Sequence, residues 1–187
     1  EPLALRSPTQ IQLPGPDPLE SRRYARDFAE VKAYGAKEGS ARSPEQTETA
    51  LFWNANSQLQ YQVAMRDQVT RRRLDVAVAA RAFALLGSAT ADAAISCWRA
   101  KYDYAYWRPI TAIHLADTDG NPATEPDPAW NSLVPSPPYP DYTSGHACLT
   151  GAASHVFSHL FGRRGIALDV SSSVTGTTRH YASGAAL

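Results

Sequence analysis

Seven prolines fall within residues 117–143, at Pro122, Pro126, Pro128, Pro135, Pro137, Pro138 and Pro140. Each lacks a backbone N–H and clashes with the preceding turn of a helix, so no helix passes through this stretch. A structureless segment of that length in a compact domain is uncommon and is usually functional. It separates helical sequence on either side. Upstream, Tyr24, Phe28, Val31 and Tyr34 recur at helical spacing within 21–37, and Gly35 and Gly39 end the repeat. Ser43-Pro44-Glu45-Gln46 has the form of a capping box, with Ser43 as N-cap, Pro44 in the first turn and Gln46 reaching back. The helix it opens is expected to carry Leu51, Phe52, Trp53, Leu59 and Val63 and to end near Arg66. Two more helices are expected over 70–86 and 90–107, parted at Gly87-Ser88. Downstream, 145–161 reads as a helix, followed by a Gly/Ser/Thr-rich connection through Thr178 and a helix start near Ser183. No stretch shows a convincing strand pattern. The expected fold class is all-α, a helical bundle, with an extended Pro-rich arm over 1–20 and a single helical domain over 21–187.

At 187 residues the chain can bury one sizeable core. Lys plus Arg equals Asp plus Glu, 18 each, so no global field favours nucleic acid or an anionic membrane. Any affinity for anions must come from local placement. No uninterrupted apolar run reaches the ~18 residues a spanning helix needs. The Ala-rich stretch 74–100 is broken by Arg81, Ser88, Asp92 and Arg99 and reads as a buried helix pair, so no membrane span is expected. The chain begins at Glu1 rather than Met, which reads as a processed or cut terminus with no signal peptide left in it. Cys97 and Cys148 are too few for a disulfide scaffold and form no CxxC pair; they are expected to be two small buried residues.

Chemistry concentrates on both sides of the proline-rich segment. In Lys101-Tyr102-Asp103-Tyr104-Ala105-Tyr106-Trp107-Arg108-Pro109, the two cations stand seven residues apart. Two helical turns would put them on nearly one face, about 10 Å apart along the axis. Pro109 disfavours helical geometry at Arg108, so the helix is expected to end there and leave the guanidinium free to turn toward Lys101. Arg offers a planar fork for two oxygens and Lys a compact charge. The surrounding Tyr and Trp residues can lower the local dielectric. The plainer reading is a solvated pair of cations backed by core aromatics.

Ser144-Gly145-His146 follows the segment. Thr143 or Ser144 is a good N-cap, and the helix it opens turns free amides outward, a ready anion site. Gly145 lets backbone approach a ligand closely. His146 can exchange a proton near neutral pH. Tyr142 stands where a GxSxG elbow needs glycine, so no serine-hydrolase nucleophile is implied. The plainer reading is an ordinary capped helix with a histidine in its first turn. The two motifs occurring together within this spacing is expected by chance in roughly one chain in several thousand.

Together, Lys-x6-Arg-Pro and Ser-Gly-His resemble the first two parts of the three-part signature shared by vanadium-dependent haloperoxidases and type 2 phosphatidic acid phosphatases. Trp107-Arg108-Pro109-Ile110-Thr111-Ala112-Ile113, with Asp119-Gly120-Asn121-Pro122 after it, looks most like the soluble bacterial haloperoxidase-like branch. The resemblance runs from about Tyr24 to the end of the chain. It implies that Lys101, Arg108, Ser144 and the Gly145 amide hold the oxygens of vanadate, with phosphate as the alternative oxyanion, and that His146 is the acid–base group. It implies an enzyme in which vanadate-bound peroxide oxidises a halide, so hydrogen peroxide and halide are the expected partners. The alternative on the same scaffold is an acid phosphatase acting on phosphate monoesters. A third reading is a non-catalytic helical anion-binding module. Thr143 replaces the usual proline of the second motif. The third motif, Arg-x5-His, is absent: six residues after Arg163, Arg164 and Arg179 stand Asp169, Val170 and Ala185. The chain therefore reads as truncated before its final ligand, with weak or no catalysis expected of it alone. A homodimer is also expected, because a broad helical face would expose apolar surface.

Other candidates carry plainer readings. His155 and His159 share a helical face, but Val156 stands where HExxH needs glutamate. Asp117, Asp119 and Asn121 read as a turn, since Pro122 occupies the glycine position of a calcium loop. His114 follows the first motif closely, and its role is open. Tyr139, seven residues before His146, lies near the oxyanion in relatives.

Overall fold

A computed structural model describes residues 1–187 throughout. Helices span Arg22–Gly35 (α1), Pro44–Trp53 (α2), Ser57–Arg71 (α3), Val76–Tyr104 (α4), Pro109–His114 (α5) and Gly145–Phe161 (α6), and an antiparallel hairpin joins Leu168–Ser171 (β1) to Thr178–Tyr181 (β2). The helical-bundle class is as expected, and the hairpin is a departure from it. Leu168 and Val170 are fully buried while Ser171 is exposed. Strands of four residues offer too short an alternation to stand out in a Gly/Ser/Thr-rich sequence. The end of the chain forms only a single 3-10 turn, Gly184–Ala186, capped by Ser183.

Local signals explain most helix starts. Ser21 accepts from the Tyr24 amide at 3.1 Å and opens α1. The capping box at α2 is reciprocal: the Ser43 amide donates to Gln46 Oε1 at 2.9 Å, and the Gln46 amide to Ser43 Oγ at 3.2 Å. The expected run on to Arg66 is interrupted, because Asn56 accepts from the Leu59 amide at 3.1 Å and caps a new helix. Leu59 and Val63 consequently lie exposed on α3 instead of packing with α2. The expected break at Gly87-Ser88 is absent. Leu86 and Thr90 are fully buried to either side, and the Thr90 hydroxyl donates to the Leu86 carbonyl at 2.7 Å. Packing there outweighs the ~1 kcal/mol that glycine costs a helix interior. The expected buried helix pair is instead one helix whose apolar stretch is largely unburied, with Val76 and Val78 exposed on its surface, and by length and composition alone this region is long and apolar enough to cross a membrane.

Two compact units form, one of Glu1–Gln12, Glu48–Arg99 and Ser144–Leu187, the other of Leu13–Thr47 and Ala100–Thr143. The arm expected over 1–20 is divided between them. In the first unit Phe52, Tyr61, Met65, Leu86, Phe157 and Leu168 make an apolar cluster with almost no exposure. Gln60 and Gln68 on α3 each donate to a carbonyl of the hairpin region, Ser171 O and Ala167 O, both at 3.1 Å. Cys97 on α4 and Cys148 on α6 are joined in a disulfide, which corrects the expectation of two separate buried thiols. Their Cα atoms lie 6.4 Å apart, within bridging reach, although 51 residues separate them in sequence. Asp92, nearly buried on α4, accepts the amides of Leu3, Ala4 and Leu5 at 2.5, 2.7 and 2.8 Å and fastens the start of the chain.

The second unit has a smaller apolar cluster of Tyr24, Phe28, Ile113, Ala116 and Trp130. Polar contacts fix its long segment. The Trp130 indole donates to Lys32 O at 2.9 Å, and Asn121 Nδ2 donates to Leu19 O at 2.7 Å. Asp119 accepts from the Asn121 amide and the Thr124 hydroxyl, each at 2.7 Å, so this loop is a self-satisfied turn.

Candidate oxyanion-binding site

Lys101 and Arg108 both belong to the second unit. Lys101 stands in the last turn of α4, which ends at Tyr104, earlier than expected. Ala105 then takes a left-handed φ of 46°, Arg108 is extended at φ −78° and ψ 153°, and Pro109 starts α5. The chain thus turns between the two cations, and their heads meet on residues 139–141. Lys101 Nζ donates to Pro140 O at 3.1 Å and also to Asp141 O. Arg108 donates to Tyr139 O at 2.8 Å, to Pro140 O at 3.3 Å and to the Asp141 carboxylate at 3.1 Å. Both cations also face the Tyr139 ring, with Lys101 Nζ 5.4 Å and the Arg108 guanidinium carbon 4.8 Å from its centroid. Such contacts gain strength where water is excluded.

Lys101 is 2% exposed, which answers the solvated-face reading of the pair. Burial, and then the neighbouring Arg108 charge, hold its ammonium pKa below the usual lysine value, while Asp141 acts in the opposite sense. Two cations aimed at the oxygens of one short segment form the donor arrangement that a compact oxyanion requires. Asp141 is the neighbour of Arg108 that sequence reasoning missed. It lies in the proline-rich segment, and no spacing rule ties an acid there to Arg108.

Ser144, Gly145 and His146 belong to the first unit, at the start of α6. Ser144 is the N-cap, its hydroxyl accepting the Ala147 amide at 3.2 Å. A Cβ on Gly145 would lie 2.9 Å from Trp98 Cη2, so the close approach glycine permits here is to an indole ring. His146 is exposed in the first turn. Of the other histidines, His114 bonds Trp130 O through Nε2 at 2.7 Å and helps hold the long segment. His155 and His159 are exposed on α6, and no group of three or more His, Cys, Asp or Glu is placed to hold a metal ion.

The fold is a helical bundle, and the cation pair converges on one short segment of its second unit. A family profile described as "VCPO second helical-bundle domain" matches residues 81–184. The vanadium chloroperoxidase of Curvularia inaequalis is 29% identical over 155 residues, covering 69% of this chain and 25% of that protein. The crystal structure of the first bacterial vanadium-dependent iodoperoxidase superposes with a TM-score of 0.80 at 27% identity, covering 98% of this chain and 46% of that one. The chain belongs to the vanadium haloperoxidase superfamily. It spans between a quarter and about half of the length of these relatives.

Proposed function

We propose that this chain is part of a vanadium-dependent haloperoxidase, which uses hydrogen peroxide to oxidise a halide. The observation that carries the reading is the convergence of buried Lys101 and half-buried Arg108 on shared oxygen acceptors. The donors are ammonium, guanidinium, hydroxyl and backbone N–H, a set suited to the hard oxygens of vanadate. Lys101, Arg108, Ser144 and the Gly145 amide would hold it, and when bound it supplies a Lewis-acidic centre for peroxide. Arg108 orients two oxygens through its fork, and Lys101 adds a compact charge. The His146 imidazole gives and takes the proton at a ring nitrogen, its exposure allowing exchange with solvent. Asp141, already on Arg108, competes with the incoming anion and limits its affinity.

The test uses the natural protein that contains this chain. Halide oxidation with vanadate and peroxide should be measurable, and Lys101→Ala or His146→Ala should lower it by about 100-fold, the scale for losing one charge-stabilising donor. Phosphate-ester hydrolysis without halide oxidation would reassign the chain to the acid phosphatase branch. If both variants leave every activity unchanged, it is a non-catalytic anion-binding module.

A further inference from the structure

Within the second unit, a cavity of about 440 Å³ is lined by Asp141, the partner of Arg108, and by Trp107 and Pro109 on either side of Arg108 in sequence. That volume lies in the range of small-molecule sites. Its walls are aromatic, formed by Tyr24, Phe28, Tyr106, Trp107 and Tyr142. One wall is the proline-rich arm, Pro14, Gly15 and Pro16, held by tyrosine hydroxyls. Tyr104 donates to Leu13 O at 2.7 Å, Tyr142 to Pro14 O at 2.5 Å and Tyr106 to Asp17 O at 3.4 Å. These bonds occupy the hydroxyls and leave the rings of Tyr106 and Tyr142 as apolar lining. Pro14, Gly15 and Pro16 bring no polar side chain to the lining.

The charges of the lining are already matched. Asp17 pairs with Arg23 at 3.3 Å, Asp27 with Arg26 at 3.3 Å, and Asp141 with Arg108 at 3.1 Å. A charged ligand would have to compete with one of these pairs, whereas an uncharged one meets ring faces and aliphatic carbon. Aromatic rings prefer offset or edge-to-face contact with other rings, which this wall supplies on several sides. We infer that this chamber binds a small, uncharged aromatic molecule. Its role as an organic co-substrate beside the oxyanion rests on the function proposed above; the binding itself does not.

The experiment therefore omits vanadate, peroxide and halide. The natural protein is titrated with 2-naphthol, and separately with 2-naphthoate and a naphthylmethylammonium salt, following tryptophan fluorescence. The neutral probe should bind saturably, at least about tenfold tighter than either ion, a gap of about 1.4 kcal/mol. Val31→Trp, placed at the partly exposed rim of the chamber, should weaken it at least tenfold. Tyr142→Phe, which keeps the ring but releases the arm, should weaken it several-fold. Thermal unfolding midpoints close to the parent's establish that both variants are folded. Absence of saturable binding, preference for either ion, or an unchanged affinity in folded Val31→Trp would overturn the inference. Loss of naphthol binding would leave the oxyanion reading intact, and failure of halide oxidation would leave the chamber intact.

Discussion

The two units are held in different ways. The first is organised by apolar packing: Phe52, Tyr61, Met65, Leu86 and Phe157 have no exposure, and a disulfide links α4 to α6. The second has fewer buried apolar residues and fixes its long segment by polar contacts to backbone, from Trp130, Asn121, Lys101 and Arg108. Hydrophobic burial is non-directional and suits a frame. Hydrogen bonds and cations fix particular carbonyls in particular places. Both cations act on the same short stretch, through the carbonyls of Tyr139, Pro140 and Asp141 and the Asp141 carboxylate.

The largest expected effect tests the apolar side of this contrast. Phe157→Ala should cost about 3–5 kcal/mol in chemical denaturation, the usual scale for emptying a buried aromatic position. Reducing the Cys97–Cys148 disulfide should cost about 2–4 kcal/mol, measured by the same method with and without reductant. Lys101→Ala should cost less, about 1–3 kcal/mol, by leaving the Pro140 and Asp141 carbonyls short of a donor. Hydrogen exchange in that variant should rise within 139–143 more than around Phe157. A loss as large and as widespread as that of Phe157→Ala would break the distinction between frame and presented segment.

Gly145→Ala sharpens it at the start of α6. The added methyl meets Trp98 at 2.9 Å, so a loss of about 1–3 kcal/mol is expected from overpacking. If stability is unchanged while oxyanion affinity falls, the glycine serves the ligand and not the indole. The smallest effect concerns Asp92. Burial works to raise its pKa, but the amides of Leu3, Leu5 and Ala4 outweigh it and hold the carboxyl below its ordinary value. Its folded pKa therefore lies under the unfolded value of about 3.9, so the stabilisation is complete above that pH and is lost as pH falls through the folded pKa. Exchange at the amides of residues 3–5 should accelerate below about pH 4, and Asp92→Asn should remove that pH dependence.

Much of the helical framework was legible because its signals are local. Ser21, the Ser43–Gln46 box and Ser144 act within four residues of where they stand, and α6 spans the predicted 145–161. Where local rules failed, a longer-range interaction decided. Burial of Leu86 and Thr90 overrode Gly87, and the hairpin was recognisable only through its packing on α3. The candidate donors of the proposed site, Lys101, Arg108 and Ser144-Gly145-His146, could be picked out by residue type and spacing, and the structure brings Lys101 and Arg108 onto shared acceptors.

The sequence by itself determined the helical class, the capped helix starts, the helix-free segment and the identity of the candidate donors. Each follows from backbone sterics or side-chain chemistry within a few residues. Only the tertiary structure decided that Cys97 meets Cys148, that Asp92 captures the amides of residues 3–5, that Asp141 sits on Arg108 and that tyrosines strap the arm beside an aromatic chamber. These are contacts across dozens of residues, set by how buried surfaces fit together, and no local pattern encodes them.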